Sequence, residues 1–315
     1  MNIITPGKWT RSFFMKQLFT YILICASALA FAQPAADDPL EQLQRYEKNL
    51  AVLGDSTVSG SNWEMREQAC IAMVKILVKA LQVPNSFDYP FDSVPTISVV
   101  YPEDRAFRLI TWQLQLKDMT HRYYGTIQMA GEELEMYPLI DMSMFIAEPD
   151  YAVTDNDNWY GQIYYNVKKF KYKKETYYLL FGWDGNDMWS NRKIVDILSF
   201  DDKGQPVFGR PVFEFSEGEV RSRVMIEYKE DASPALVWDE QLQMIVFDYL
   251  QPENPMSEGI YMTYIPDGTY QGFYFDKKKR HWILQRVVFN VVLDEPPLFK
   301  PKYKGEDPNM YIKEN

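Results

Sequence analysis

Ile110-Thr111-Trp112-Gln113-Leu114-Gln115-Leu116-Lys117 alternates apolar and polar side chains without a break. A period of two is that of a strand with one face buried and one wet, so this stretch predicts a half-buried β-strand. The pattern continues outward from it. A short turn at 118–120 leads to Tyr123, Gly125, Ile127 and Met129, and Gly131 leads on to Leu134, Met136 and Ile140. Three strands joined by short turns make a meander.

Beyond a polar gap at 148–158, Trp159, Ile163, Val167 and Phe170 recur at helical spacing and predict a short helix over 159–170. Strands follow at 176–183, 193–200, 207–215, 220–228, 236–238, 242–249, 260–265, 270–275 and 281–292. Asp202-Lys203-Gly204, Pro266-Asp267-Gly268 and the basic stretch 277–280 stand where hairpins must reverse. An aromatic residue followed by aspartate recurs at Trp183-Asp184, Phe200-Asp201, Trp238-Asp239, Phe247-Asp248 and Phe275-Asp276. The ring can pack while the carboxylate accepts turn amides, which makes the pair a strand terminator.

On the N-terminal side the period lengthens. Leu40, Leu43, Tyr46 and Leu50 fall at helical spacing over 38–53, and a polar loop at 54–60 follows. A second helix is expected over 62–82, with Ser61 and Glu64 as a capping box and Cys70, Val74, Leu77 and Leu81 on one face. The expected class is therefore α+β and mainly antiparallel β. A helical hairpin at 33–95 precedes a large antiparallel sheet or β-sandwich of meandering hairpins at 96–295, and 296–315 forms an extended, proline-rich tail. A propeller-like arrangement is the alternative, although the aromatic-aspartate pairs are too unevenly spaced for regular blades.

The first 32 residues read as a secretory signal. Lys16 precedes an uncharged run over 18–31, and Ala30-Phe31-Ala32 stands before Gln33 as a small-x-small cleavage site. The run is shorter than the roughly 20 residues that cross a bilayer, so cleavage between Ala32 and Gln33 is expected in place of anchoring. Residues 1–14 either lengthen the leader or reflect an upstream start codon. Cys25 follows Ile22, Leu23 and Ile24, without the small residues that lipid attachment requires. The mature chain is then expected in the periplasm or outside the cell, with no integral membrane segment.

Lysine and arginine number 33 against 44 acidic residues, for a net charge of −11. Loss of Lys8, Arg11 and Lys16 with the leader would make the balance more negative still. Such a charge opposes nonspecific binding to nucleic acid or anionic lipid. With Cys25 removed, Cys70 is the sole thiol, no intramolecular disulfide can form, and burial on its helix is the expected fate.

Tyr177-Tyr178-Leu179-Leu180-Phe181-Gly182-Trp183-Asp184-Gly185-Asn186, with Phe208-Gly209 downstream, resembles a segment shared by an uncharacterised family of exported proteins of Gram-negative bacteria. The resemblance runs over much of the β region. It implies an address and no activity, and it carries no functional residue.

No motif fixes a reaction. His121 and His281 each head a predicted strand, without the nucleophile context of a hydrolase or the paired spacing of a zinc site. Asp155-Asn156-Asp157-Asn158 and Asp184-Gly185-Asn186-Asp187 offer hard oxygen ligands, so calcium is the one cofactor the sequence admits, at Asp184, Asn186 and Asp187 in preference. Neither loop closes with the glutamate of a helix-loop-helix calcium site, and turn formation accounts for both. Paired carboxylates and exposed aromatics would suit glycoside hydrolysis, yet aromatics are also ordinary strand filler. Three classes follow: a noncatalytic binding or assembly protein with a protein or glycan partner, a carboxylate-dependent exported hydrolase acting on a glycan, and a structural envelope protein. The lack of a catalytic constellation points toward the first.

Overall fold

The structure, a computed structural model, describes residues 38–289, and only the backbone of Val287 and Phe289. Ala32, Gln33, the rest of the expected leader and the tail at 296–315 lie outside the described residues. The chain falls into two compact units, Met1–Gln42 and Leu43–Asn315. Of the first, only an opening helical turn is described, in which Asp38 Oδ1 accepts the Leu40 amide at 3.2 Å. The second holds the rest of the helical pair and every described strand.

Helix α1 spans Pro39–Ser59 and α2 spans Trp63–Leu81. Leu43, Glu47, Leu50, Gly54 and Thr57 form the buried stripe of α1, at the spacing that keeps side chains on one helix face. The helix runs through the segment expected to be a loop. Ser56, Thr57 and Ser59 bond their hydroxyls back to carbonyls four residues earlier, each at 2.9 Å, and these internal bonds replace the water contacts a loop would have sought. Gly54 is required there because a Cβ would lie 2.0 Å from Thr96 Oγ1. The start of α2 is capped by Asn62, whose Oδ1 accepts the Met65 amide at 2.9 Å; the Ser61–Glu64 box is not the cap. Cys70 is fully buried among Leu43, Leu50, Met73 and Leu77.

Among the described residues sixteen strands form three sheets. The first is the meander β1 (Ser98–Val100), β2 (Phe107–Gln115), β3 (His121–Met129) and β4 (Met136–Ile140), in that order. The second contains β5 (Thr154–Asp155), β9 (Pro206–Phe208), β8 (Ser190–Phe200), β7 (Glu175–Asp184) and β6 (Ile163–Tyr172), with β12 (Val224–Lys229) also paired to β8. The third runs β11 (Glu219–Arg221), β10 (Phe213–Ser216), β16 (His281–Phe289), β15 (Tyr264–Asp276), β14 (Met244–Pro252) and β13 (Leu236–Asp239). All these pairings are antiparallel except β10 with β16.

The layers stack through three shared cores. Ile110, Trp112 and Leu114 of β2 face the helices, while Phe107 and Leu109 face the second sheet. Strand β2 is thus buried on both faces up to Trp112, where Thr111 is as enclosed as its apolar neighbours and the half-buried expectation is corrected; beyond it Gln113 and Gln115 are half-buried beside buried Leu114, as expected. Strand β7 divides likewise, with Tyr178 and Leu180 toward the first sheet and Tyr177, Leu179 and Phe181 toward the third. Face-to-face stacking of three open sheets displaces the propeller alternative. The class is α+β and mainly antiparallel.

The helix expected over 159–170 is strand β6. A bulge between Tyr164 and Asn166 puts Tyr164 and Val167, three residues apart, into the same core, and one extra residue in a strand imitates helical spacing. Two strands expected to be continuous each change sheet: 207–215 divides into β9 and β10, and 220–228 into β11 and β12. Pro266-Asp267-Gly268 does not reverse the chain. It forms an irregularity inside β15, with Gly268 at φ +87° and Asp267 Oδ1 accepting the Thr269 amide at 2.8 Å. Four of the aromatic-aspartate pairs do end strands; Asp248 instead lies within β14 and accepts the Ala235 amide.

Candidate functional site

Strand β12 pairs with β8 along one edge, and its other edge meets two adjoining hollows beside a 3₁₀ turn at Tyr261–Thr263. One, of about 220 Å³, is apolar, with Phe215, Ile226, Phe247, Leu250 and Leu284 among its walls. The other, of about 260 Å³, is lined by Asp150, Arg192, Arg221, Pro149 and the residues shared by both, Met225, Glu227 and Tyr261. Together they make a groove with an apolar end and a charged end.

The charged end is built from pairs fixed by strand register. Arg192 and Glu227 are cross-strand partners in β8 and β12, and the guanidinium meets the carboxylate at 2.9 Å from Nε and 2.8 Å from Nη2. Ser190 donates to the same carboxylate at 2.8 Å. Arg192 Nη1 also donates to the Tyr160 hydroxyl at 3.1 Å. Burial works against the arginine's charge, but Tyr160, Glu227 and Asp184 together outweigh it and hold its pKa above the ordinary value. On the opposite wall Arg221 reaches Asp150 at 3.3 Å and Glu219 at 2.5 Å, and lies 4.1 Å from the centre of the Phe215 ring.

That wall is anchored from beneath. Arg223 Nε pairs with Asp196 Oδ2 at 3.1 Å, both side chains wholly buried, and Arg223 also bonds the Pro149 carbonyl. The Asp150 carbonyl accepts the Ser222 and Arg223 amides at 2.7 and 3.1 Å. Burial raises the pKa of Asp196 despite Arg223 beside it. A buried charge pair holds geometry by the cost of breaking it, so 149–151 is held where Asp150 can face the groove.

Asp184, Asn186 and Asp187 do not converge on a common point. Asp184 Oδ1 accepts the Tyr123 hydroxyl at 2.8 Å and the Asn186 amide at 2.9 Å, and its Oδ2 accepts the Tyr160 hydroxyl at 3.0 Å. Asn186 Nδ2 donates to Ser190 Oγ at 2.7 Å, while Asp187 Oδ1 caps the Trp189 and Ser190 amides. The other loop is a turn in which Asp155 Oδ1 accepts from Asp157 and Asn158. Among the described residues no group of three His, Cys, Asp or Glu side chains is placed to hold a metal ion. His121 packs between Tyr123 and Trp183; burial lowers its pKa and Asp184 opposes the shift. His281 sits 3.2 Å from Glu214, on a different strand pair.

A third hollow, of about 460 Å³ beside Val58, Thr96, Gln113 and Trp183, has no titratable side chain in its lining. Sequence reading missed Arg192, Glu227, Arg221 and Asp150, because each owes its place to a pairing between distant segments. The Arg221-Ser222-Arg223 run within the expected strand 220–228, where the chain breaks between β11 and β12, was the available signal. No protein-family model matches the chain, and no curated protein matches it.

Proposed function

We propose that this is a noncatalytic binding protein of the periplasm or cell surface, delivered there by cleavage between Ala32 and Gln33, and that its groove receives a segment of a partner protein. The observation that carries the reading is the apolar hollow opening directly onto arginine–carboxylate pairs across Met225, Glu227 and Tyr261. At about 220 Å³ the apolar end suits one large side chain. The adjoining charged groups suit the polar groups that flank such a side chain on a peptide. Two further features favour binding over glycan hydrolysis. The carboxyl groups whose pKa burial raises, Asp196 and Asp248, line neither hollow. Asp150 and Glu227, which do line one, are bonded to arginines and are not left free to reach a substrate.

A phage-displayed random peptide library, panned on the purified protein, tests the reading. Enriched peptides should share a large apolar residue beside a charge, and Tyr261→Ala should weaken their binding by about tenfold, equivalent to ~1.4 kcal/mol. Peptides that bind the variant as well as wild type, or a library that yields no binder, would reject it. Terminal mass analysis of periplasmic material should begin at Gln33; an intact leader in the working protein would remove the export half.

A further inference from the structure

Two hairpin tips far apart in sequence meet at one place. The β6–β7 turn is Lys173-Lys174, and the β15–β16 turn is Lys277-Lys278-Lys279-Arg280. Tyr172 donates its hydroxyl to the Lys277 carbonyl at 3.0 Å, Tyr172 and Phe275 pack ring to ring at 5.2 Å, and Arg280 reaches Glu175 at 3.5 Å. All six basic residues are exposed. Lys279 is bonded to Glu214 and Arg280 to Glu175; among the described residues, Lys173, Lys174, Lys277 and Lys278 form no ion pair. A chain of net charge −11 thus concentrates on two adjacent turns four ammonium groups outside the described ion pairs, with Lys173 lying 5.3 Å from the centre of the Tyr172 ring.

We infer that these joined tips are a docking point for an anionic phospholipid surface. A hairpin tip is convex and cannot enclose a small anion, whereas a flat sheet of phosphates can touch both tips at once. Lysine ammonium groups on flexible stems suit such a diffuse surface better than bidentate recognition of one group, which calls for arginine. The net charge argues against anionic partners only if charge is spread evenly. Here the acidic remainder repels the same surface, so the molecule docks by this end alone and in one orientation. The inference is independent of the groove.

Flotation of the purified full chain with phosphatidylcholine vesicles, with and without phosphatidylglycerol, tests it. Binding should need the anionic lipid and fade with added salt. A polybasic residue at such a surface contributes roughly fivefold in partitioning, so Lys173→Ala, Lys174→Ala, Lys277→Ala and Lys278→Ala combined should lower it by on the order of several hundredfold. Lys48→Ala with Lys75→Ala, exposed lysines on the helices, should leave it unchanged. No binding to anionic vesicles, equal loss in both variants, or capture by dextran sulfate with none by vesicles would overturn the inference.

Discussion

Replacing Arg108 by methionine should destabilise the fold by about 2 to 3 kcal/mol, a figure that comes from two opposing costs. Arg108 is fully buried on β2. Its Nε donates to Gln128 Oε1 at 2.8 Å, Nη1 to the Tyr89 carbonyl at 2.7 Å and the Tyr101 hydroxyl at 2.9 Å, and Nη2 to the Ser86 carbonyl at 2.7 Å. Methionine keeps the bulk and removes the donor from all four acceptors, although the Ser86 carbonyl keeps the Tyr89 amide at 3.1 Å. The enclosed Gln128 oxygen would cost about 2 kcal/mol, and the Ser86, Tyr89 and Tyr101 oxygens about 1 kcal/mol each. Against that loss of about 5 kcal/mol stands relief from holding a cation out of water. Burial does lower the guanidinium's pKa, so its bonds do not offset the whole penalty, and about 2 to 3 kcal/mol should be recovered. The balance predicts a fall in melting temperature of about 5 °C. Amide exchange should quicken over 86–101, which these bonds tie to the first sheet. A variant as stable as wild type, or more so, would refute the reasoning by showing that desolvation of the cation outweighs its four bonds.

Gly209 has φ +83°, and a Cβ there would lie 2.5 Å from the Ala152 carbonyl oxygen; Gly209→Ala should cost about 2 to 4 kcal/mol in urea unfolding. Gly218→Ala, with φ +86° and open space around the position, should cost only the backbone share of about 1 to 2 kcal/mol, and equal losses at both sites would remove the clash from the account. Burial lowers the folded-state pKa of His121, with Asp184 opposing. A depressed histidine adds stability that is whole above its unfolded value of about 6.5 and is lost as pH falls through that value toward the folded one. The stability gap between wild type and His121→Gln, read from urea midpoints, should therefore shrink on acidification below about pH 6.5, and a gap flat across that range would contradict it.

Local patterns foretold what local physics decides. The helical pair, the burial of Cys70, the meander β2–β4 and the strand ends at Asp184, Asp201, Asp239 and Asp276 all follow from spacing within a few residues. Where a long-range partner intervenes, the same patterns mislead. The bulge at Tyr164 produced false helical spacing, and Asp248 accepts from Ala235 instead of closing its own turn. Arg108 lies in register with Ile110, Trp112 and Leu114, so a cation on a core face was visible, but the carbonyls that receive it belong to the loop after α2. The groove was illegible for the same reason: Arg192 meets Glu227 only through the β8–β12 pairing.

Strand β16 lies between β10 and β15 near the middle of the third sheet, and Trp282 upon it bonds across to Tyr177 of the second. Its position is central although it is the last of the described strands in chain order. Until it emerges from the ribosome, β10 lacks one neighbour and the outer layer stays open. A chain cut before His281 would leave β10 and β15 with open edges in the middle of that sheet, each a template for another strand to pair with.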